Sequence, residues 1–467
     1  MGVRTSLAVI SAKALSQACR IAGKQGVTMA GKLAMKIDPD ILRTLASQVR
    51  GKIIVTCGTN GKTTTNNLIA SALEAEGRKV VCNRTGSNML MGVAAAFVLA
   101  ADNSGKLDAD DAVIEIDEAS ARRVFPYMKP DYMVMTNLFR DQLDRYGEID
   151  ITMDYLKEAM DMAPGMKIIV NADDPLSAYL AMESGHEFIT YGISEQVFRG
   201  KESSEIREGQ FCRRCGSHLV YDFYHYSQMG VYRCESCDFR RPDPDFDACG
   251  IDMKDGLSFD VKERAKDGET PAPARHIHAH YRGFYNIYNI LACYATVKSC
   301  GAGTGSFDRM LASYNPENGR NELFRIGKTK VLLNLAKNPA GFNQNISSVL
   351  EDRSEKDVII VINDNAQDGR DISWLWDVDF DRLRDPSVAS ITVSGIRGED
   401  MRLRLKYVSI SSVLEKDVKS AVEKKLKDGC GNLYVLVNYT ALYSTHSLLK
   451  EMEKSSRKGG AGRGKAS

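Results

Sequence analysis

The run Gly58-Thr59-Asn60-Gly61-Lys62-Thr63-Thr64 follows the apolar stretch Ile53-Ile54-Val55-Thr56-Cys57. Strand, glycine-bounded turn and helix start make a phosphate cradle in that order. The glycines let the backbone wrap closely around an anion. The first N–H groups of the helix and the positive end of its dipole face into the turn. Lys62 can reach the terminal phosphates of a nucleotide, and the Thr63 hydroxyl can hold Mg²⁺. The general form of such loops has its first glycine at position 56, where this chain has Thr56. A second constellation is Cys212-x-x-Cys215 with Cys234-x-x-Cys237. This is the four-thiolate spacing of a zinc ribbon, with a knuckle at each of two facing hairpin ends. Four thiolates close the coordination tetrahedron and leave no place for water, so the expected metal is structural, not catalytic.

The elements that must position these groups are legible around them. From about residue 50 to 190, apolar strands alternate with helical stretches, as in a doubly wound parallel sheet. The strands expected are Lys52–Cys57, Lys79–Cys82, Ala112–Ile116, Tyr132–Thr136 and Lys167–Asn171, with Ala94–Ala101 in a helix. Near residue 200 the composition turns to Cys, Arg, Tyr and Phe, and Pro242 and Pro244 close what reads as an insertion. His276–Tyr281 alternates as a strand and Asn286–Ser299 reads as an Ala-rich helix. A hinge over Gly301–Asn318 leads to a second α/β unit with strands at Val331–Leu335, Val358–Ile362, Ser390–Val393 and Leu433–Val437. The expected division is a helical segment 1–48, a central ATPase unit 49–305 with the ribbon at about 205–245, a C-terminal α/β unit 316–453 and a disordered tail 454–467.

Composition bounds the function classes. The chain has 467 residues and a net charge of +1, so no global field draws it to nucleic acid or an anionic surface. Met1–Met35 reads as one leading amphipathic helix without the compact apolar core of a signal peptide. Eleven cysteines without a secretion signal point to a reducing, cytoplasmic setting. The ribbon carries Arg213, Arg214, Arg233, Arg240 and Arg241 among aromatic residues, but Asp222, Glu235, Asp238, Asp243 and Asp245 dilute that charge. A structural clip is therefore favoured over a nucleic-acid module. His276, His278 and His280 read as surface residues, and no nucleic-acid partner is expected.

The loop Gly-Thr-Asn-Gly-Lys-Thr-Thr closely resembles that of the Mur ligase superfamily, which joins a carboxylate to an amine through an acyl phosphate. Further stretches fit that superfamily in order. Val113-Ile114-Glu115-Ile116-Asp117-Glu118 resembles the strand whose carboxylate holds Mg²⁺, with Glu115 at that position. Thr136-Asn137 through Asp141 to Tyr146, and Asn171-Ala172-Asp173-Asp174-Pro175, follow strands as in the family. Gly283-Phe284-Tyr285-Asn286-Ile287-Tyr288-Asn289 resembles the helix start beside the adenine, which implies nucleotide contacts from Asn286 and Asn289. Gly319-Arg320-Asn321-Glu322 resembles the segment whose arginine, here Arg320, approaches the phosphates, and Asn334 stands where the family contacts the ribose. The resemblance implies ATP and Mg²⁺, with Lys62 and Glu115 catalytic, Gly58 to Thr64 around the nucleotide, and Thr63 and Glu115 on the magnesium.

The four-cysteine ribbon and the segment Asp368-Gly369-Arg370-Asp371-Ile372-Ser373-Trp374-Leu375-Trp376-Asp377 narrow the resemblance to one branch. Its members are ligase subunits that amidate the D-glutamate α-carboxyl of the lipid II stem peptide to D-isoglutamine. Their ammonia comes from a partner glutaminase, GatD. About 50 residues precede the loop, which suits a lipid-linked acceptor at the inner membrane face better than a free UDP precursor. The chain departs from other Mur ligases at Gln142, where they carry a histidine, and Lys157 is out of register with their carbamylated lysine. Leu333-Asn334-Leu335-Ala336-Lys337-Asn338-Pro339 replaces their Asp-Asp-Tyr-Ala-His-Asn-Pro. These departures fit a small nucleophile. Asp364, Asp368 and Asp371 follow a strand at its carboxyl end, so Asp364 and Asp368 are candidates for the active site or the glutaminase interface. Trp374 and Trp376 are candidates for that interface or for the core. The alternatives are a Mur-type ligase that adds an amino acid to a peptidoglycan precursor, and a zinc-ribbon nucleic-acid ATPase.

Overall fold

The computed structural model describes residues 2–22, 26–141, 148–198, 208–265, 270–280, 282–314, 319–365 and 367–463. The first body is built on a nine-stranded sheet. Its strands are β1 (Ile53–Cys57), β2 (Val80–Cys82), β3 (Asp111–Glu115), β4 (Tyr132–Met135), β5 (Lys167–Asn171) and β6 (Phe188–Ile193). The chain then leaves the sheet for the hairpin β7 (Leu219–Tyr226) and β8 (Met229–Cys234). It returns with β9 (Phe246–Asp252), β10 (Leu257–Glu263) and β11 (Arg275–Ala279). The order across the sheet is β11-β10-β9-β6-β5-β4-β1-β3-β2. All pairings from β2 to β9 are parallel, and the β9-β10-β11 flank is antiparallel.

Alternation along the strands sends side chains to two cores, as a sheet covered on both faces requires. Val55, Cys57, Ile114, Met133 and Ile168 face one core, with the helices Val3–Ile21, Val27–Ile37, Leu90–Ala100 and Ile149–Asp161. Ile54, Val113, Val134 and Ile169 face the other, with Lys62–Ala75 and Tyr285–Ser299. Phe307, Met310 and Leu311 of the helix Phe307–Ser313 also enter this second core, so the first body extends past residue 305 into the expected hinge.

The second body has strands β12 (Arg320–Ile326), β13 (Thr329–Leu335), β14 (Lys356–Val361), β15 (Val388–Ser394), β16 (Val413–Leu414) and β17 (Asn432–Val437). Their order is β12-β13-β17-β14-β15-β16, with an antiparallel β12–β13 hairpin on an otherwise parallel sheet. Phe342, Phe380 and Leu405 fill one face, and Val422, Ala441 and Leu449 the other.

Three expectations change. The leading helix is two helices, Val3–Ile21 and Val27–Ile37, and Gly26 at the second helix's start leaves no room for a Cβ beside Cys19. The last helix runs from Tyr439 to Arg463, through the segment expected to be a disordered tail. It is anchored by buried Leu449 and by Glu453, which accepts from the Arg325 amide at 2.8 Å. Strands β9 and β10 were not foreseen, because their Asp, Gly and Lys residues lower β propensity on a flank where only one face is buried. Gln142 lies outside the described residues.

Candidate active site and metal centre

The carboxyl edge of the parallel sheet carries the site, as in other open α/β sheets. At the end of β1 the backbone turns through Gly58 (φ +121°) and Gly61 (φ +83°) into the helix Lys62–Ala75. A Cβ at Gly58 would fall 2.3 Å from the Thr136 hydroxyl, and one at Gly61 would fall 2.3 Å from Asn289 Oδ1. Only glycine suits either position. The segment after β4 braces the loop from below. Thr59 N donates to Asn137 O (2.7 Å), Asn60 N to Asn137 Oδ1 (2.9 Å) and Thr136 Oγ1 to Asn60 O (2.7 Å). Thr59 and Phe139 exchange two further bonds of 3.0 Å. The first helical N–H groups, those of Lys62, Thr63 and Thr64, lack intrahelical partners by geometry and stand at the cavity wall. The loop is thus preshaped for an anion.

Lys62 is buried, and its ammonium donates to Gly58 O and, at 2.8 Å, to Glu118 Oε1. Glu118 also accepts from Gly58 N at 3.0 Å. Burial alone would lower the Lys62 pKa, but the negative charge of Glu118, Glu115 and Asp117 raises it above its ordinary value. Burial raises the Glu118 carboxyl and Lys62 opposes that shift. The Thr63 hydroxyl donates to Glu115 Oε2 at 2.6 Å, while Asn88 holds Glu115 Oε1 at 2.8 Å. Asn83 pairs with the Glu115 backbone through both its amide atoms, at 2.8 Å each. A hydroxyl and an oriented carboxylate beside a phosphate loop form a hard-oxygen donor set suited to Mg²⁺. Gly86 closes over them, where a Cβ would sit 3.3 Å from Glu115 Oε2 and 3.4 Å from Thr63 Oγ1.

The second body completes the walls of a cavity of about 1080 Å³. Thr59 to Thr64, Glu115, Asn286, Asn289 and Asn334 all line it. Asn289 is held by Thr65 Oγ1 (3.2 Å) and donates to Asn286 Oδ1 (2.9 Å). Asn334 donates to Asn345 Oδ1 (2.6 Å) and Asn321 Oδ1 (3.0 Å). Arg320 opens β12 opposite Asn334 in register. Several contacts clasp the bodies across the site, among them Asn321 Nδ2 donating to the Tyr285 hydroxyl at 2.6 Å. Asn338 Nδ2 donates to Asn60 Oδ1 at 3.1 Å, and Lys337 pairs with Asp141. Sequence reasoning noted Lys337 only as a departure, and assigned no role to Glu118, Asn88 or Lys337. Glu118 stood inside a quoted motif, just past the strand that ends at Glu115, which was the available signal.

Asp364 and Asp368 stand apart from the cavity wall. Asp364 is held by Arg397, with Nε 2.8 Å and Nη2 2.7 Å from Oδ2. Asp368 is buried and accepts from the Thr440 amide at 2.7 Å and from its hydroxyl. Each carboxylate is held by a partner within its own body, Asp368 buried and Asp364 partly exposed. Asp371 caps its own turn through Ser373 N at 2.8 Å. Trp374 packs toward Phe342, whereas Trp376 is 51% exposed beside Tyr407. The thiol of Cys57 is buried and pushed well up by that burial, so it supplies no thiolate at neutral pH.

The sulfurs of Cys212, Cys215, Cys234 and Cys237 all lie within 4.8 Å of one another. The separations Cys212–Cys237 and Cys215–Cys234 are both 3.5 Å. A tetrahedron of thiolates at a Zn–S length of about 2.3 Å has edges of about 3.8 Å, so the donor set fits. The opposite end of the hairpin was not foreseen to touch the site. Its tip enters the body, where Gln228 donates to Leu138 O (2.8 Å) and Asp174 Oδ1 (2.6 Å), and Tyr226 lines the cavity. Four of the five ribbon arginines are engaged in ion pairs, Arg213 with Asp150, Arg214 with Glu183 and Asp238, Arg233 with Asp222 and Arg241 with Asp173, and Arg240 is exposed. Across β10–β11, Asp260 meets the exposed His276 at 2.8 Å, a neighbour not foreseen from sequence.

Comparison with known proteins agrees with this architecture. The family model for the Mur ligase middle domain matches residues 55–228, and that for the MurT ligase C-terminal region matches residues 335–442. The chain is 36% identical over 442 residues to the lipid II isoglutaminyl synthase (glutamine-hydrolyzing) subunit MurT of Staphylococcus aureus (strain COL), covering 94% of this chain and 96% of that one. It is 32% identical to the subunit of the same name from Streptococcus pneumoniae (strain ATCC BAA-255 / R6), covering 96% and 98%. Among solved structures, a pseudomurein peptide ligase type C from Methanothermus fervidus superposes with a TM-score of 0.65 at 20% identity, covering 86% of this chain and 79% of that one. MurF ligase from Thermotoga maritima in complex with ADP superposes at 0.62 and 14% identity, covering 92% and 84%. The chain belongs to the MurT family, on a Mur ligase fold.

Proposed function

We propose that this chain is the cytoplasmic ligase subunit of a two-chain enzyme that amidates the D-glutamate α-carboxyl of the lipid II stem peptide to D-isoglutamine. Lys62, with Thr63 and Glu115 at the wall of a cavity shared by two bodies, is the observation that carries the reading. ATP with Mg²⁺ would supply a phosphoryl group to the acceptor carboxylate, and ammonia would displace phosphate from the resulting acyl phosphate. Lys62 stays protonated and offers its charge where the terminal phosphates meet the loop. Thr63 and Glu115 supply oxygens for the magnesium. Asn286, Asn289 and Asn334 offer neutral donors and acceptors to the rest of the nucleotide. The four cysteines would hold zinc.

The ammonia donor is a separate glutaminase of the GatD kind. A docking surface for it is the exposed apolar patch of Trp376, Ile396, Leu403, Tyr407 and Val413, at the β16 edge of the second body. The test is co-purification with that glutaminase and an assay on lipid II with glutamine and MgATP. The expected result is D-isoglutamine formation, lost in Lys62→Ala and Glu115→Ala. Transfer of an amino acid in place of ammonia would overturn the reading in favour of an amino-acid-adding Mur-type ligase.

A further inference from the structure

The N-terminal helix Val3–Ile21 buries Thr5, Ala8, Val9 and Ala12 against the first body. Its outer face should then be polar. Instead Val3, Leu7, Ile10, Ala14 and Ile21 recur there at steps of three, four and seven. Val3 is 88% exposed, Leu7 55%, Ile10 49% and Ile21 83%, and no described residue covers them. The charge of the region is one-sided. Arg4, Lys13, Arg20, Lys24, Lys32 and Lys36 occur before the first acidic residue, Asp38, in a chain whose net charge is only +1. Among the described residues no helix is long and apolar enough to cross a membrane. Within the two N-terminal helices every charged residue is a cation, although Asp38 and Asp102 lie beside the inner turns, and an apolar stripe with cations along it is the pattern of a helix lying in an anionic lipid surface. The location agrees. Val27, Thr28 and Met89 line the active-site cavity beside this helical layer, and Met29 and Met89 are themselves exposed.

We infer that the helix Val3–Ile21 docks on an anionic lipid bilayer, with its outer stripe in the headgroup region and the cavity mouth turned toward that surface. This goes beyond the ligase reading, since it rests on the helix face and its charge and not on the acceptor. The test is co-sedimentation of the full chain with phosphatidylcholine vesicles, with and without phosphatidylglycerol, and with no lipid-linked substrate or nucleotide present. The chain is expected to bind the anionic vesicles and to be released by salt. Leu7→Glu with Ile10→Glu should lower partitioning about tenfold or more. Arg20→Gln and Lys32→Gln should each lower it about fivefold. All four side chains are exposed or on the outer face, so circular dichroism and melting should match the parent chain. Absence of binding, or binding unchanged in both sets of variants, would overturn the inference. So would a self-associated dimer in sedimentation velocity that the Leu7→Glu/Ile10→Glu change disperses, because the stripe would then cover a second copy. Vesicles without acceptor keep this outcome separate from the amidation assay.

Discussion

Lys62 and Glu118 form a buried ion pair that both shapes the loop and keeps the lysine charged. Lys62→Ala leaves Glu118 buried without its cation, a loss of about 3–5 kcal/mol of stability. Lys62→Ala with Glu118→Gln should recover most of that stability while ATP-dependent turnover stays about a thousandfold down, since a charge at the developing transition state is gone. Denaturant melts of the single and double variants decide it, and a double variant no more stable than the single one would refute the pairing argument. The shared placement of Lys62, Thr63 and Glu115 at one cavity wall was legible in the sequence because their motifs are local: a loop after a strand, and a carboxylate at a strand end. Glu118 was not assigned because its partner is 56 positions away across the sheet edge. The partners of Asp364 and Asp368 were hidden for a related reason. The place of the two aspartates after β14 was correct, but Arg397 and Thr440 decide where the carboxylates point.

The ribbon links two ends of one element. The four cysteines gather at one end, and at the other Gln228 binds Leu138, next to the Phe139 that bonds Thr59 of the phosphate loop. Removing the metal should therefore loosen the loop as well as the ribbon. Chelation under mild denaturant, or Cys215→Ser, is expected to lower the melting temperature by about 5 °C or more. It should also raise the KM for ATP more than it lowers kcat. An apoprotein with unchanged melting and KM would show that the ribbon is an independent appendage. The cysteine spacing made the gathering of the four sulfurs legible, because knuckle geometry is set within a few residues. The buried tip was hidden, because nothing in Tyr226-Ser227-Gln228-Met229 names the strand turns it meets.

At the scale of the molecule, two α/β bodies close on one cavity through Asn60 with Asn338 and Asp141 with Lys337. Most parallel strands of both bodies were legible as apolar runs, but their order, and the antiparallel β9–β11 flank, depend on contacts that no local pattern encodes. The exposed patch at the far edge gives a third expectation. Leu403→Glu or Tyr407→Glu should weaken association with the glutaminase subunit about thirtyfold, measured by titration calorimetry, while ATP turnover by the isolated chain is retained. Association unchanged in both would place the partner elsewhere. The route of the chain through the first sheet also bears on how it folds. Strand β6 ends at Ile193 and its parallel neighbour β9 begins only at Phe246, with the cysteine hairpin between them. During synthesis the edge of β6 stays open until that detour has been made, and pairing over so long a loop is slow. An open strand edge is a site for aggregation. A metal held by the four cysteines would shorten the loop that must close, so metal supply during synthesis would then raise the yield of folded chain as well as its later stability.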